Sequence, residues 1–232
     1  MIGLLGKKLG QTRVYDEQGN VTCVTVVLAG PNRVLQCKTK ETDGYCAVQL
    51  GFDEQKESRV TKPLLGHIKK HGGTPVKWIG EFRDFNLPVK SGDVVGVNIF
   101  EKGDTVDAIG VTKGRGFEGV VKRHGFAGGD STHGAKGWHR RAGAIGCRLF
   151  PGTVRRGLPM PGHMGQVHRT TQNLEVIQVR PDDHVLLIKG SIPGAKGDYV
   201  LIREAKKYPK GSKRVKGAAQ TPKKGKAAAA KK

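Results

Sequence analysis

His67 and His71 stand four residues apart, a spacing that puts two imidazoles on one face of a helix, where they could share a metal ion. The residues between them, Ile68, Lys69 and Lys70, supply no glutamate base, and two ammonium groups oppose a bound cation, so HExxH chemistry is absent. His133, His139, His163 and His168 lie among arginines, with no thiol or carboxylate set to complete a ligand shell. Ser131 and His133 are close in sequence, yet no strand-turn-helix elbow presents the serine as a nucleophile. Gly114-Arg115-Gly116-Phe117-Glu118-Gly119 matches GxGxxG and precedes a short helical pattern through Val120, Val121 and His124. A dinucleotide site would also need a second buried parallel strand and an acid at a strand end, and the next 40 residues carry neither. Cys23, Cys37, Cys46 and Cys147 form no Cys-x-x-Cys pair. The first three fall in apolar, strand-like runs and read as buried thiols. These residues predict no catalytic group, no metal, no cofactor and no small-molecule substrate.

What surrounds the glycines is more informative. Residues 111–170 hold 11 Lys or Arg, 14 Gly and five His against two acids, Glu118 and Asp130. So many glycines raise the entropy cost of ordering the backbone, and so few large apolar side chains cannot offset it by burial. Such a ribbon needs an outside partner to order it, and its charge makes that partner a polyanion. Lys113, Arg115, Lys122 and Arg123 crowd the GxGxxG turn, where the backbone could approach phosphate closely without any cofactor. His67 and His71, like the ribbon imidazoles, then read as surface or RNA-facing groups. Trp138, inside Lys136-Gly137-Trp138-His139-Arg140-Arg141, has two readings. Its indole stacks on a base while the cations hold the backbone, or it folds back on the body of the protein.

Charge is segregated along the chain. Formal net charge is +21; residues 206–232 carry 11 basic groups and no acid, and outside this tail and the ribbon the chain is nearly neutral. A near-neutral body with two cationic appendages is an electrostatic footprint for nucleic acid. No run approaches the roughly 18 to 20 apolar residues of a membrane span. Lys7 and Lys8 interrupt the start of the chain before a signal-peptide core develops, so a cytosolic protein with no membrane partner is expected.

The elements that must position the ribbon read as β. Strands are expected at 11–15, 21–29, 33–38 and 45–52, then at 93–100 and 105–111, and after the ribbon at 174–179, 184–189 and 198–203. The links are too short for parallel crossovers, so the strands should be antiparallel, and many short strands favour one closed barrel. Between 56 and 83, Val60, Leu64, Leu65 and Ile68 fit a helix that His71-Gly72-Gly73 stops. The expected organisation is a discontinuous barrel over 1–55, 84–112 and 165–205, a small α/β insertion at 56–83, a basic Gly-rich extension at 113–164, and a disordered Lys/Ala-rich tail at 206–232.

Three motifs in order resemble one family. Ile2-Gly3-Leu4-Leu5-Gly6-Lys7-Lys8-Leu9-Gly10-Gln11-Thr12 comes first. Val111-Thr112-Lys113-Gly114-Arg115-Gly116-Phe117 follows with Lys122-Arg123-His124-Gly125-Phe126, and Met160-Pro161-Gly162-His163-Met164-Gly165 is last. Over about 205 residues they are similar to the ribosomal protein L-three family of the large subunit, in its bacterial type. The resemblance implies a barrel of the translation-factor second-domain type and a long irregular extension that penetrates large-subunit rRNA toward the peptidyl transferase centre. It also implies an early role in subunit assembly, with 23S-type rRNA and neighbouring large-subunit proteins as partners. The rRNA-binding set it implies is Lys7, Lys8, Lys113, Arg115, Lys122, Arg123, His124, Lys136, Trp138, His139, Arg140, Arg141, Arg148, Arg155, Arg156 and His163. The extension's tip falls at Ala144, Ile145, Gly146, Cys147, Arg148 and Leu149. Leu149 stands where some relatives carry a methylated glutamine, so that modification is not expected here. A competing reading is a DNA-compacting protein, prompted by Thr221-Pro222-Lys223-Lys224-Gly225-Lys226 and the alanine-lysine terminus.

Overall fold

The computed structural model describes residues 2–208. The expected disordered tail therefore lies, from 209 onward, outside the described residues. In chain order the strands are β1 (Gly3–Tyr15), β2 (Val21–Leu28), β3 (Asn32–Lys38), β4 (Ala47–Glu54), β5 (Val76–Arg83), β6 (Val94–Val95), β7 (Thr105–Val111), β8 (Gly116–Glu118), β9 (Gly162–Met164), β10 (His168–Arg180), β11 (Val185–Lys189) and β12 (Tyr199–Glu204). Helices α1 (Lys40–Asp43), α2 (Lys62–Lys70) and α3 (Val120–His124) are short.

Six strands close an antiparallel barrel in the order β1-β12-β7-β10-β11-β2. Its strands come from both sides of the ribbon, as expected, because β7 pairs with β10 and β12 across the whole excursion. β3 and β4, read as barrel strands, instead hydrogen-bond in a separate sheet of order β5-β4-β3-β6. β5 was legible only as part of an insertion. The expected strand over 93–100 shrinks to β6 followed by a 3₁₀ turn at Val97–Ile99.

One apolar cluster joins the two sheets. Leu4, Leu5, Val27, Val106, Leu186 and Ile202 of the barrel meet Val34, Leu50, Phe52 and Phe82 of the second sheet. That shared core explains why neither sheet needs to cover both of its own faces. Gly3 lets β1 cross close to the second sheet, since a Cβ there would overlap the Phe82 ring. Asn32, fully buried, fixes the junction: its Oδ1 accepts from Leu5 N at 3.2 Å, and its Nδ2 donates to Leu5 O and Ala29 O, both at 3.1 Å. Helix α2 buries Ile68 against Leu35 and Val76, which form a second, smaller cluster. Proline at its start and His71-Gly72 at its end bound it as the sequence predicts.

Candidate nucleic-acid interface

The ribbon leaves β7 and returns to β10 through a narrow neck. Thr112 N donates to Val167 O at 3.0 Å, Gln166 N to Thr112 O at 3.1 Å, and Arg115 N to Met164 O at 2.8 Å. Strands β8 and β9 then pair, with Phe117 opposite His163. Gly165 must be glycine: its φ is 82°, and a Cβ would overlap the Lys113 carbonyl oxygen. Helix α3 closes the neck from the side. It ends on Gly125 in the left-handed region, which turns Lys122, Arg123 and His124 together at its C-terminus. The Arg123 guanidinium donates to Met160 O at 2.6 Å, and His124 Nε2 donates to the same carbonyl at 3.1 Å, so both residues pin the returning strand. Lys122 pairs with Glu118 at the end of β8, which offsets one of the ribbon's two acids.

These constraints gather cations. Lys113, Arg115, Arg123, His124, His163 and Arg169 line one cavity of about 580 Å³ at the base of the ribbon. Arg169 is absent from the sequence-derived set. It lies opposite Gly110 on β7, so only the β7–β10 register brings it beside Lys113. The cavity offers forked guanidinium donors and imidazoles at several angles, which suits tetrahedral phosphate oxygens.

Beyond the neck, residues 125–161 form neither helix nor strand, and no side chain between 121 and 175 is buried. Lys136, His139, Arg140, Arg141, Arg148, Arg155 and Arg156 are all exposed along this limb. Trp138 does not fold back on the barrel: it is 52% exposed, with the Arg141 guanidinium over its ring at 4.8 Å. Ala144, Ile145, Gly146, Cys147, Arg148 and Leu149 are exposed, and Leu149 and Phe150 present nearly their whole side chains to solvent.

The two N-terminal lysines part company. Lys7 is half-buried on the barrel wall, 3.6 Å from Asp53. Lys8 is buried, and its ammonium donates to Ile192 O at 2.7 Å and Gly194 O at 2.9 Å. Burial lowers its pKa from the ordinary lysine value, the nearby Lys113 charge lowers it further, and Asp198 opposes both. Lys8 thus builds the loop beside the neck instead of facing outward. The histidine pair of α2 also has a structural role: His67 Nε2 lies 2.7 Å from Gln49 Oε1, and the two imidazoles meet edge to face at 5.1 Å.

The cysteine expectation is corrected. Cys23 and Cys46 are exposed, and Cys37 is half-buried with its thiol 3.4 Å from Val89 O. Cys23 lies one residue past the last β2–β11 pair, at Val24, where it still pairs with Arg13 of β1 and its carbonyl accepts from Gly190 N at 3.0 Å. Cys147 is exposed on the ribbon.

The chain matches the family model for ribosomal protein L3 over residues 55–185. It is 48% identical over 209 residues to the large ribosomal subunit protein uL3 of Akkermansia muciniphila, covering 89% of this chain and 99% of that protein. Similarity to the uL3 proteins of Brachyspira pilosicoli and Brachyspira hyodysenteriae is nearly equal, at 48% and 47% over 208 residues, with 89% of this chain and 95% of each relative covered. Identity at this level over nearly full length, on a barrel whose strands bracket a cationic ribbon, shows that the chain belongs to the ribosomal protein L3 family.

Proposed function

We propose that this chain is a structural component of the large ribosomal subunit in the cytoplasm, with 23S-type rRNA and neighbouring large-subunit proteins as its partners. The barrel, of the translation-factor second-domain type, sits at the rRNA surface. The ribbon enters the RNA toward the peptidyl transferase centre, with its tip at 144–149, and ordering it supports early subunit assembly. No residue performs chemistry; any influence on peptide-bond formation acts through the position of RNA.

One observation carries this reading: more than fifty consecutive residues bury no side chain, yet they hold most of the excess positive charge of the chain outside its tail. A limb without a core is ordered only by what surrounds it, and arginine-rich backbone surrounded by phosphate replaces condensed counterions. Lys7, Lys113, Arg115, Lys122, Arg123, His124, Lys136, Trp138, His139, Arg140, Arg141, Arg148, Arg155, Arg156 and His163 form the proposed interface, with Arg169 added. Lys8 is left out because its ammonium is already engaged by two backbone carbonyls.

Sedimentation of cell extract tests the assignment. The protein should travel with large subunits and keep doing so when residues 209–232 are removed. A protein that instead follows DNA, and loses it with the tail, would overturn the proposal in favour of a compactor.

A further inference from the structure

A second cavity, of about 820 Å³, opens beside the cationic one. The two share Thr112 and Lys113, so a single ridge of backbone separates them. Their linings differ in kind. The second has an apolar floor from Ile109 and Leu201, which face each other across the β7–β12 ladder and are both half-exposed. Its wall is aromatic: the Trp78 and Tyr199 rings lie 5.2 Å apart at 33°. Burial, and then a hydrogen bond to Asp53, push the Tyr199 phenol up to about 12, so the ring stays neutral.

Charge around this cleft favours an anionic occupant. Lys7 and Lys77 lie 5.7 and 5.5 Å from the centre of the Tyr199 ring, and Lys113 stands on the shared ridge. Two acids lie among them: Asp53 pairs with Lys7 at 3.6 Å and accepts from the Tyr199 hydroxyl at 2.6 Å, and Asp198, in the lining, accepts from Ala195 N at 2.6 Å, so these lysines exceed the carboxylates by one. Gln166 lines the same cleft with φ at 51°, a conformation that costs a non-glycine residue energy and is kept where the surroundings over-determine it. Its amide offers the donor and acceptor pair that reads a base edge. A purely apolar partner would leave Lys113 and the glutamine without use. A free phosphate would leave the aromatic wall bare.

We infer that the paired cavities hold one unstacked nucleotide of the bound rRNA, its base in the Trp78–Tyr199 cleft and its phosphate across the Lys113 ridge among Arg115, Arg123 and Arg169. The inference rests on the rRNA-binding reading above and specifies the ligand at the ribbon's base. The nucleotide would lock the neck and so set the direction in which the ribbon leaves the barrel.

The full-length chain carrying Trp138→Phe keeps a ring at 138 and leaves Trp78 as its sole indole. Titrated with a large-subunit rRNA transcript, its emission should fall by about twofold or more in step with binding, as expected when a base stacks on the ring. In a second measurement, 2′-hydroxyl acylation of the transcript bound to wild type, Trp78→Leu and Gln166→Ala should show one nucleotide becoming several-fold more reactive in either variant, with the rest of the footprint kept. Gln166→Ala removes no core contact, so it reports even if Trp78→Leu fails to fold. RNA binding with unchanged Trp78 emission and no nucleotide released by Gln166→Ala overturns the inference. So does an emission change that requires a neighbouring ribosomal protein, because the cleft would then be a protein contact. If the wild-type chain shows no salt-sensitive RNA binding at all, the parent reading falls and takes this one with it.

Discussion

Single side chains here divide sharply between scaffold and interface, and neighbouring residues of one type can fall on opposite sides. Lys8→Met should destabilise the protein by about 1–3 kcal/mol, because the Ile192 and Gly194 carbonyls lose their donor. Denaturant unfolding would read that loss, while RNA affinity of the folded fraction stays close to wild type. Equal loss of affinity for Lys8→Met and Arg115→Met would contradict the division. Gly165→Ala should cost more than about 1 kcal/mol, since alanine must adopt a positive φ and its methyl meets the Lys113 carbonyl. Hydrogen exchange at the Arg115 and Gln166 amides should accelerate in that variant, since both bonds span the neck. The difference between Lys7 and Lys8 was not legible in sequence, because strand alternation says that they point apart but not which of them meets the loop at 192–194.

At the scale of elements, the second sheet and its helix contribute acid sensitivity. Burial first, then His67 and Lys70, hold the His71 pKa below the ordinary 6.5. The unfolded chain therefore binds more protons below that value, and folding stability should fall as pH drops from 7 toward 5. His71→Gln should flatten this part of a pH-dependent unfolding profile; an unchanged slope would show that the pair does not couple to folding. Glu81 acts lower. Its hydrogen bond from Lys38, at 2.7 Å, holds the carboxyl below 4.5, so that contribution is complete above 4.5 and is lost as pH falls through the depressed value. Lys38 is correspondingly raised by Glu81 first and Tyr45 next, and its share of the pair is lost only as pH rises past the ordinary lysine range. The ribbon should be energetically separable from this scaffold. Replacing 126–158 by a short Gly-Ser linker removes no buried side chain, keeps the Met160 carbonyl, and should change stability by less than about 1 kcal/mol, read by thermal unfolding. A larger loss would mean that the ribbon supports the barrel.

For the whole molecule, the separation of charge from core governs behaviour. With about 6 to 10 phosphate contacts, affinity for rRNA should fall roughly 10³ to 10⁵-fold between 50 and 200 mM salt. A flat salt titration would remove the electrostatic mechanism. The shared apolar core holds barrel and second sheet as one base, so the ribbon projects from a fixed platform. Such a base gives up little conformational freedom on binding, and the ordering cost is confined to the ribbon.

Local chemistry made part of this protein legible at once. Glycine and arginine density in 111–170 and the period of the strands are properties of neighbouring residues, so they survive in a linear reading. The expected first strand covered only 11–15, whereas β1 begins at Gly3, where the absence of a side chain admits the Phe82 ring, a contact from a distant strand. Membership of the barrel, the burial of Lys8, the exposure of Cys23 and the meeting of Arg169 with Lys113 depend on which distant strands pair and in what register. The sequence by itself determined that a cationic ribbon hangs from an antiparallel β body. Only the tertiary structure decided where its cations converge, because convergence is set by hydrogen bonds and core contacts between residues far apart in the chain.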